Sequence, residues 1–287
     1  MRSSVLIAFG IFVARVITAQ DYEIRLHRPE PVGAKTKLSI SGKDRQEMSG
    51  WSGTKKLKEE IKELAVELEG TATVLETSPN GNHKRISLQV DKLVTTEGGI
   101  QRELLPRSTV VLAARKDGKK VFEVNDQTAH PDVAQALAVV IPIESDDYMG
   151  DELFGTRERK RVGDSWDINQ TAAREILSNS NIKIENFFGK VTLKNVLQDA
   201  AGTRLLVTID VTAKVAPAAP GSSAASGTMT FKGTTELPTD PSPSQATETI
   251  DMGFSLRSQY KPDPNGPEVE IRMDMKRTSN SKFIAVE

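Results

Sequence analysis

Period-two alternation of apolar and polar residues, recurring along a chain with no cysteine, is what most constrains the fold. Leu64, Val66, Leu68, Ala72 and Val74 share one side of such a ladder, with Glu67, Glu69, Thr71 and Thr73 on the other. Successive side chains of an extended strand point to opposite faces, so this spacing predicts a strand with one buried face. Pro79-Asn80-Gly81-Asn82 supplies turn chemistry, and Ile86, Leu88 and Val90 resume the alternation against Ser87, Gln89 and Asp91. Together they predict a long hairpin. Leu57, Ile61, Leu64 and Leu68 also fit helical spacing, with Gly70 as a C-cap. The ladder runs further and ends in a turn, so a strand is expected from residue 62, with a helical start over residues 55–60.

Further strands are expected over residues 23–28, 35–47, 109–115 and 120–124, the last two joined by Lys116-Asp117-Gly118-Lys119. Pro131 suits the first turn of a helix whose one face carries Val133, Leu137, Val140 and Ile141, and Pro142 ends it. A second short helix is expected over residues 171–178. Val191, Leu193 and Leu197, then Leu205, Val207, Ile209 and Val211, flank Asp199-Ala200-Ala201-Gly202 as a second hairpin. Three more strands are expected over residues 228–237, 247–260 and 268–276. The Pro/Gly/Ser-rich segments 215–227, 238–244 and 262–267 between them lack large apolar groups and read as mobile loops. The fold class is therefore α+β and mostly β: a curved, half-barrel-like antiparallel sheet of two hairpin-rich halves with a few short helices.

Arg2, an apolar run over residues 5–14 and the exit Ile17-Thr18-Ala19 have the layout of a secretory signal peptide, the run being too short to span a bilayer. Residues 1–19 are read as that leader and residues 20–287 as one β-rich domain, with 20–145 and 156–287 as two candidate related halves. The expected location is secreted or periplasmic, in the cell envelope, with no integral membrane span after cleavage. Absence of cysteine rules out disulfides and a lipidated N-terminal cysteine, so the fold rests on an ordinary core. Lys and Arg number 38 against 39 Asp and Glu, interspersed, and aromatics make up 5%, which argues against nucleic acid as a partner. Arg157, Arg159, Lys160 and Arg161, the nearest thing to a basic patch, read as a solvated loop.

At Arg161-Val162-Gly163-Asp164-Ser165-Trp166, after a helix and connector and before the second β half, the chain resembles an uncharacterised family of bacterial secreted β-rich proteins with a Val-Gly-Asp-Ser/Thr-Trp element. That family is similar in architecture to the LolA/LppX-like lipoprotein carriers. The resemblance implies a strongly curved antiparallel sheet wrapped partly around helices. From the residues themselves, Gly163 permits a tight turn, Asp164 can bond backbone amides, and Trp166 can anchor the following strand.

Gly163-Asp164-Ser165 matches the nucleophile block of GDS-type ester hydrolases, but no Asp-x-x-His follows and a serine without a base is not activated. His27, His83 and His130 stand apart without metal-ligand spacing. Asp146, Asp147, Asp151 and Glu152 lack the order of a calcium loop and read as turn and helix-terminal acids. No Walker loop or Gly-x-Gly-x-x-Gly is present, and Asn169-Gln170-Thr171 is an N-glycosylation sequon. No metal, cofactor or catalytic residue is assigned. The function expected is a non-enzymatic exported protein that binds a lipid or other apolar ligand in a concave sheet, with Leu137, Val140, Leu205 and Val207 as cavity candidates. The alternatives are a secreted hydrolase using paired carboxylates and a structural domain contacting an envelope protein partner.

Overall fold

A computed structural model describes residues 20–141, 143, 150–178, 182–199, 202–217, 223–239, 245–261 and 268–286. The expected leader, Asp146, Asp147, Pro142 and the centres of the three Pro/Gly/Ser-rich connections lie outside them. The first half holds β1 (Lys35–Ser52), β2 (Lys55–Thr77), β3 (His83–Glu97), β4 (Ile100–Glu103), β5 (Thr109–Lys116), β6 (Lys119–Val124), β7 (Gln127–Thr128) and α1 (Pro131–Val140). Then follow α2 (Gly150–Phe154), β8 (Ser165–Asp167), α3 (Gln170–Ser178), β9 (Ile182–Asp199), β10 (Gly202–Pro217), β11 (Ser223–Pro238), β12 (Gln245–Tyr260) and β13 (Val269–Val286).

All the strands belong to one antiparallel sheet, in the order β7-β6-β5-β3-β2-β1-β13-β12-β11-β10-β9-β8, with β4 paired to β3. The two ends of the chain meet in its middle: β1 pairs with β13 from Lys35↔Val286 to Trp51↔Glu270. The path does not return from β8 to β7, so the sheet is open, and its terminal strands are short. Short edges limit pairing with foreign strands.

Alternation sets the strand faces as expected. Along β1, Thr36, Leu38 and Ile40 are buried while their neighbours Lys37, Ser39 and Ser41 are exposed. The turn at Asp117-Gly118 has both residues at positive φ, 51° and 75°, the geometry of a tight hairpin turn. Three expectations are corrected. Residues 55–60 are strand, not helix, because Lys55 to Leu64, apart from the bulged Leu57, pair with β1 and gain ladder bonds that an isolated helical turn would lack. Residues 23–28 form no strand, and only Tyr22 makes a bridge, to Lys160. Residues 215–217 and 223–227 extend β10 and β11, since backbone pairing such as Val215↔Gly227 does not need large side chains.

Helices cover only one face of the sheet, which we call the inner face. Here α1, begun by Pro131 and capped by His130, lies over β1, where Gly42 lets it approach. A Cβ there would sit 2.9 Å from Val139 Cγ1. It seals a cluster that includes Leu38, Leu68, Leu88 and Val111. A second cluster, around Val191, Leu193, Leu205 and Val207, is sealed by α2 and α3, with Phe154 of α2 stacked on Phe231 of β11 at 5.6 Å. Between them lie β13 and β12, near the centre of the sheet. Not one described residue of either strand is buried.

Candidate ligand-binding site

Residues 20–30 cross from one half of the sheet to the other as a strap. At its start Tyr22 pairs with Lys160, and Arg161 binds Asp21 at 2.6 Å. Arg159 donates to the Asp21 carbonyl at 2.7 Å. The basic group expected to be merely solvated thus holds the strap. Ile24 sinks into the second cluster, and the Leu26 N–H donates to the Asp151 carboxylate at 2.6 Å. Arg28 then donates to the Pro238 carbonyl of β11. The far end reaches the first half: His27 Nε2 lies 2.8 Å from the Asn80 carbonyl, and Glu30 meets His83 at 3.4 Å and Thr36 Oγ1 at 3.0 Å. Gly81, at φ +83°, receives the Pro29 ring; a Cβ on Gly81 would lie 2.4 Å from Pro29 Cβ.

Beneath the strap is a cavity of about 310 Å³. Its apolar wall includes Leu38, Val74, Ile86, Leu237, Ala246 and Phe283, and its polar mouth is formed by His27, Arg28, Glu30, His83 and Glu248. Ile86 stands on β3 and Leu237 on β11, five strand spacings apart. In a flat sheet that is about 24 Å, too far to border so small a cavity, so the sheet curves toward its inner face here. The hydrogen bond from His83 is the main cause that holds the Glu30 carboxyl below its ordinary value, against burial and with help from the His83 charge and Thr36.

From this cavity the uncovered inner face runs down β13 and β12. Cross-strand partners share a face, which places Met48, Met273 and Leu256 on one rung. The next rung holds Met275, Phe254 and Met229, and the next Met252 and Phe231 beside the Arg277–Asp44 ion pair of 2.7 Å; Met229, Phe231 and Phe254 form the border where this face meets the second cluster. Five of the chain's seven methionines lie on this patch. Met48 is 45% exposed and Met252 37%. The opposite, outer face of β13 carries Arg272, Asp274, Lys276, Thr278, Asn280 and Lys282. Flexible, polarisable thioethers adapt to apolar surfaces of irregular shape.

The four apolar residues expected to face a cavity are placed elsewhere. Leu137 and Val140 are packed into the first cluster, Leu205 and Val207 into the second, and none of them borders the strap cavity. Their alternation marked burial correctly but not what they would be buried against. The strap was missed because residues 20–30 show no long period, and the only sequence signs are its Pro29 and the Pro31 that follows it.

The remaining singled-out groups have structural partners. Gly163 adopts φ +95°, and the Asp164 carboxylate accepts the Arg161 N–H at 2.8 Å. Ser165 Oγ lies 2.8 Å from Thr192 Oγ1, while Trp166 Nε1 donates to the Phe154 carbonyl at 2.8 Å. Asn169 Oδ1 caps α3 by accepting the Thr171 and Ala172 N–H groups. Among the described residues, no group of three or more His, Asp or Glu is placed to hold a metal ion. No helix of the described residues is long and apolar enough to cross a membrane.

No family model and no curated protein matches the chain. Among solved structures it is similar to the COG4313 outer membrane channel from Pseudomonas putida F1, at 8% identity over 91% of this chain and 100% of that one, with a TM-score of 0.19. Salmonella typhi OmpF, solved with daunomycin, gives 9% identity, coverages of 86% and 97%, and a TM-score of 0.17. Pseudomonas aeruginosa OccK11 gives 8% identity, coverages of 89% and 98%, and a TM-score of 0.18. At such TM-scores these likenesses carry no argument about fold or function.

Proposed function

We propose that this is a non-enzymatic exported protein of the cell envelope or periplasm that holds a lipid or other apolar ligand on the inner face of its sheet. One observation carries the reading. Two adjacent strands near the middle of the sheet, β13 and β12, have no buried residue among those described, yet their inner face is lined by Met, Phe and Leu and leads to an apolar cavity roofed by the strap. Apolar side chains left half-buried or exposed beside an apolar cavity suit a binding face. The export assignment rests on the leader pattern of residues 1–19, and the carrier-like architecture is the resemblance that fits it.

The cavity carboxylate Glu30 is engaged by His83 and Thr36, an arrangement that suits a structural ion pair better than an acid awaiting a substrate. Native mass spectrometry of the purified protein, with lipid extraction, tests the proposal. A co-purifying apolar molecule is expected, and Phe254→Asp together with Met273→Asp should abolish its retention. If no molecule is retained and an added apolar fluorophore shows no saturable binding, the proposal fails.

A further inference from the structure

Strand β2 is paired with β1 from Lys55↔Ser52 to Thr73↔Lys35, with Leu57 bulged out of the register, but its partner on the other side, β3, begins only at Ala65. Residues 55–64 therefore form a ten-residue edge with no second neighbour among the described residues. Such an edge offers a row of backbone donors and acceptors to another strand. Lysines commonly guard edges of this kind, and Lys55, Lys56, Lys58 and Lys62 could be only that. Two features go beyond guarding. Leu57 and Ile61 stay 53% and 50% exposed, two large aliphatic groups with no core against which to pack. Lys58 and Glu60 also flank Glu59 as a pair of opposite charges that complements itself about that residue.

We propose that residues 55–64 of β2 pair antiparallel with the same residues of a second copy of this chain, about a two-fold axis at Glu59. In that register Leu57 faces Ile61 and Lys58 faces Glu60, and symmetry makes each pair occur twice, while Glu63 keeps its own-chain partner Lys43 at 2.8 Å. Aliphatic pairs and opposite charges directly across a ladder stabilise it. Two like-charge positions arise. Lys56 would face Lys62, but a bulge opposite Gly50 and Trp51 breaks the regular alternation there, and Lys56 Nζ lies 5.6 Å from the Trp51 ring centroid. Glu59 faces its own copy at the axis while bonded to Lys56 of its own chain. One residue of shift in either direction loses the Leu57–Ile61 match, so the register is specified by sequence. The union joins two open sheets across their free edges and is a closed, isologous contact.

This inference is independent of the ligand reading, and sedimentation velocity on the purified protein tests it. A dimer is expected. Lys58→Glu should convert it to monomer, and Lys58→Glu combined with Glu60→Lys should restore it, because the pair is reversed rather than broken. The chain has no cysteine, so Glu59→Cys should give a disulfide-linked dimer on mild oxidation, whereas Glu63→Cys, away from the axis, should not. These side chains are exposed, and unchanged circular dichroism shows that each variant is folded. A monomeric parent, a dimer indifferent to Lys58→Glu, or equal cross-linking of the two cysteine variants overturns the proposal.

Discussion

Gly81→Ala separates a turn's conformational demand from its role as the seat of the strap. Gly81 has φ +83° and Gly118 has φ +75°, so an alanine at either suffers the left-handed penalty of about 1–2 kcal/mol. The surroundings differ. A Cβ at Gly118 meets nothing within 4 Å, whereas at Gly81 it meets Pro29 Cβ at 2.4 Å and Pro29 Cγ at 2.9 Å. Ordinary contact needs an additional ångström or more, so Pro29 must withdraw and draw His27 and Glu30 from Asn80 and His83. Overpacking of this kind costs about 1–3 kcal/mol beyond the backbone term. Urea denaturation should therefore show Gly118→Ala destabilised by about 1–2 kcal/mol and Gly81→Ala by about 2–5 kcal/mol, the sum of both penalties. Trypsin under native conditions should also cut after Arg25 faster in Gly81→Ala. If the two variants lose the same stability and the strap stays equally resistant, the argument that Pro29 is seated on Gly81 is wrong.

Uneven burial gives a second test: Leu68→Ala, at a fully buried site, should cost about 2–5 kcal/mol, whereas Met273→Ala, on the uncovered rung, should stay within about 1 kcal/mol in the same urea series. Glu30 titrates below its ordinary value of 4.5, so its contribution is complete above that pH and is lost as pH falls toward the folded value. Glu30→Gln should accordingly flatten the acid dependence of stability below about pH 5, read from urea midpoints. Asn169→Ala removes the cap of α3 and should cost about 0.5–2 kcal/mol, with Asn169→Ser retaining most of it.

Local patterns made much of the fold legible. Leu64 to Val74, Ile86 to Val90 and Leu205 to Val211 each told which side chains point inward, because a strand's period is two whatever its partners are. Pro131 and the Val133/Leu137/Val140 spacing placed α1, and Asp117-Gly118 placed a hairpin turn. The candidate site was far less legible. Leu38, Ile86, Leu237 and Phe283 meet around the cavity from four strands distributed along the whole chain. Nothing in any one segment encodes that meeting. Residues 55–60 show the limit in the other direction: their spacing suits a helix as well as a strand, and only pairing with β1 decides between them.

Read alone, the sequence determined a cysteine-free, mostly antiparallel β chain with helices near its middle, together with the inward face of most strands. Tertiary structure decided that the chain's ends pair as β1 and β13, that a strap closes over the sheet, and that the central inner face stays uncovered. The physical reason is range. Which face a side chain takes follows from its immediate neighbours, whereas strand order, curvature and cover depend on contacts such as Lys35↔Val286, made between residues at opposite ends of the chain.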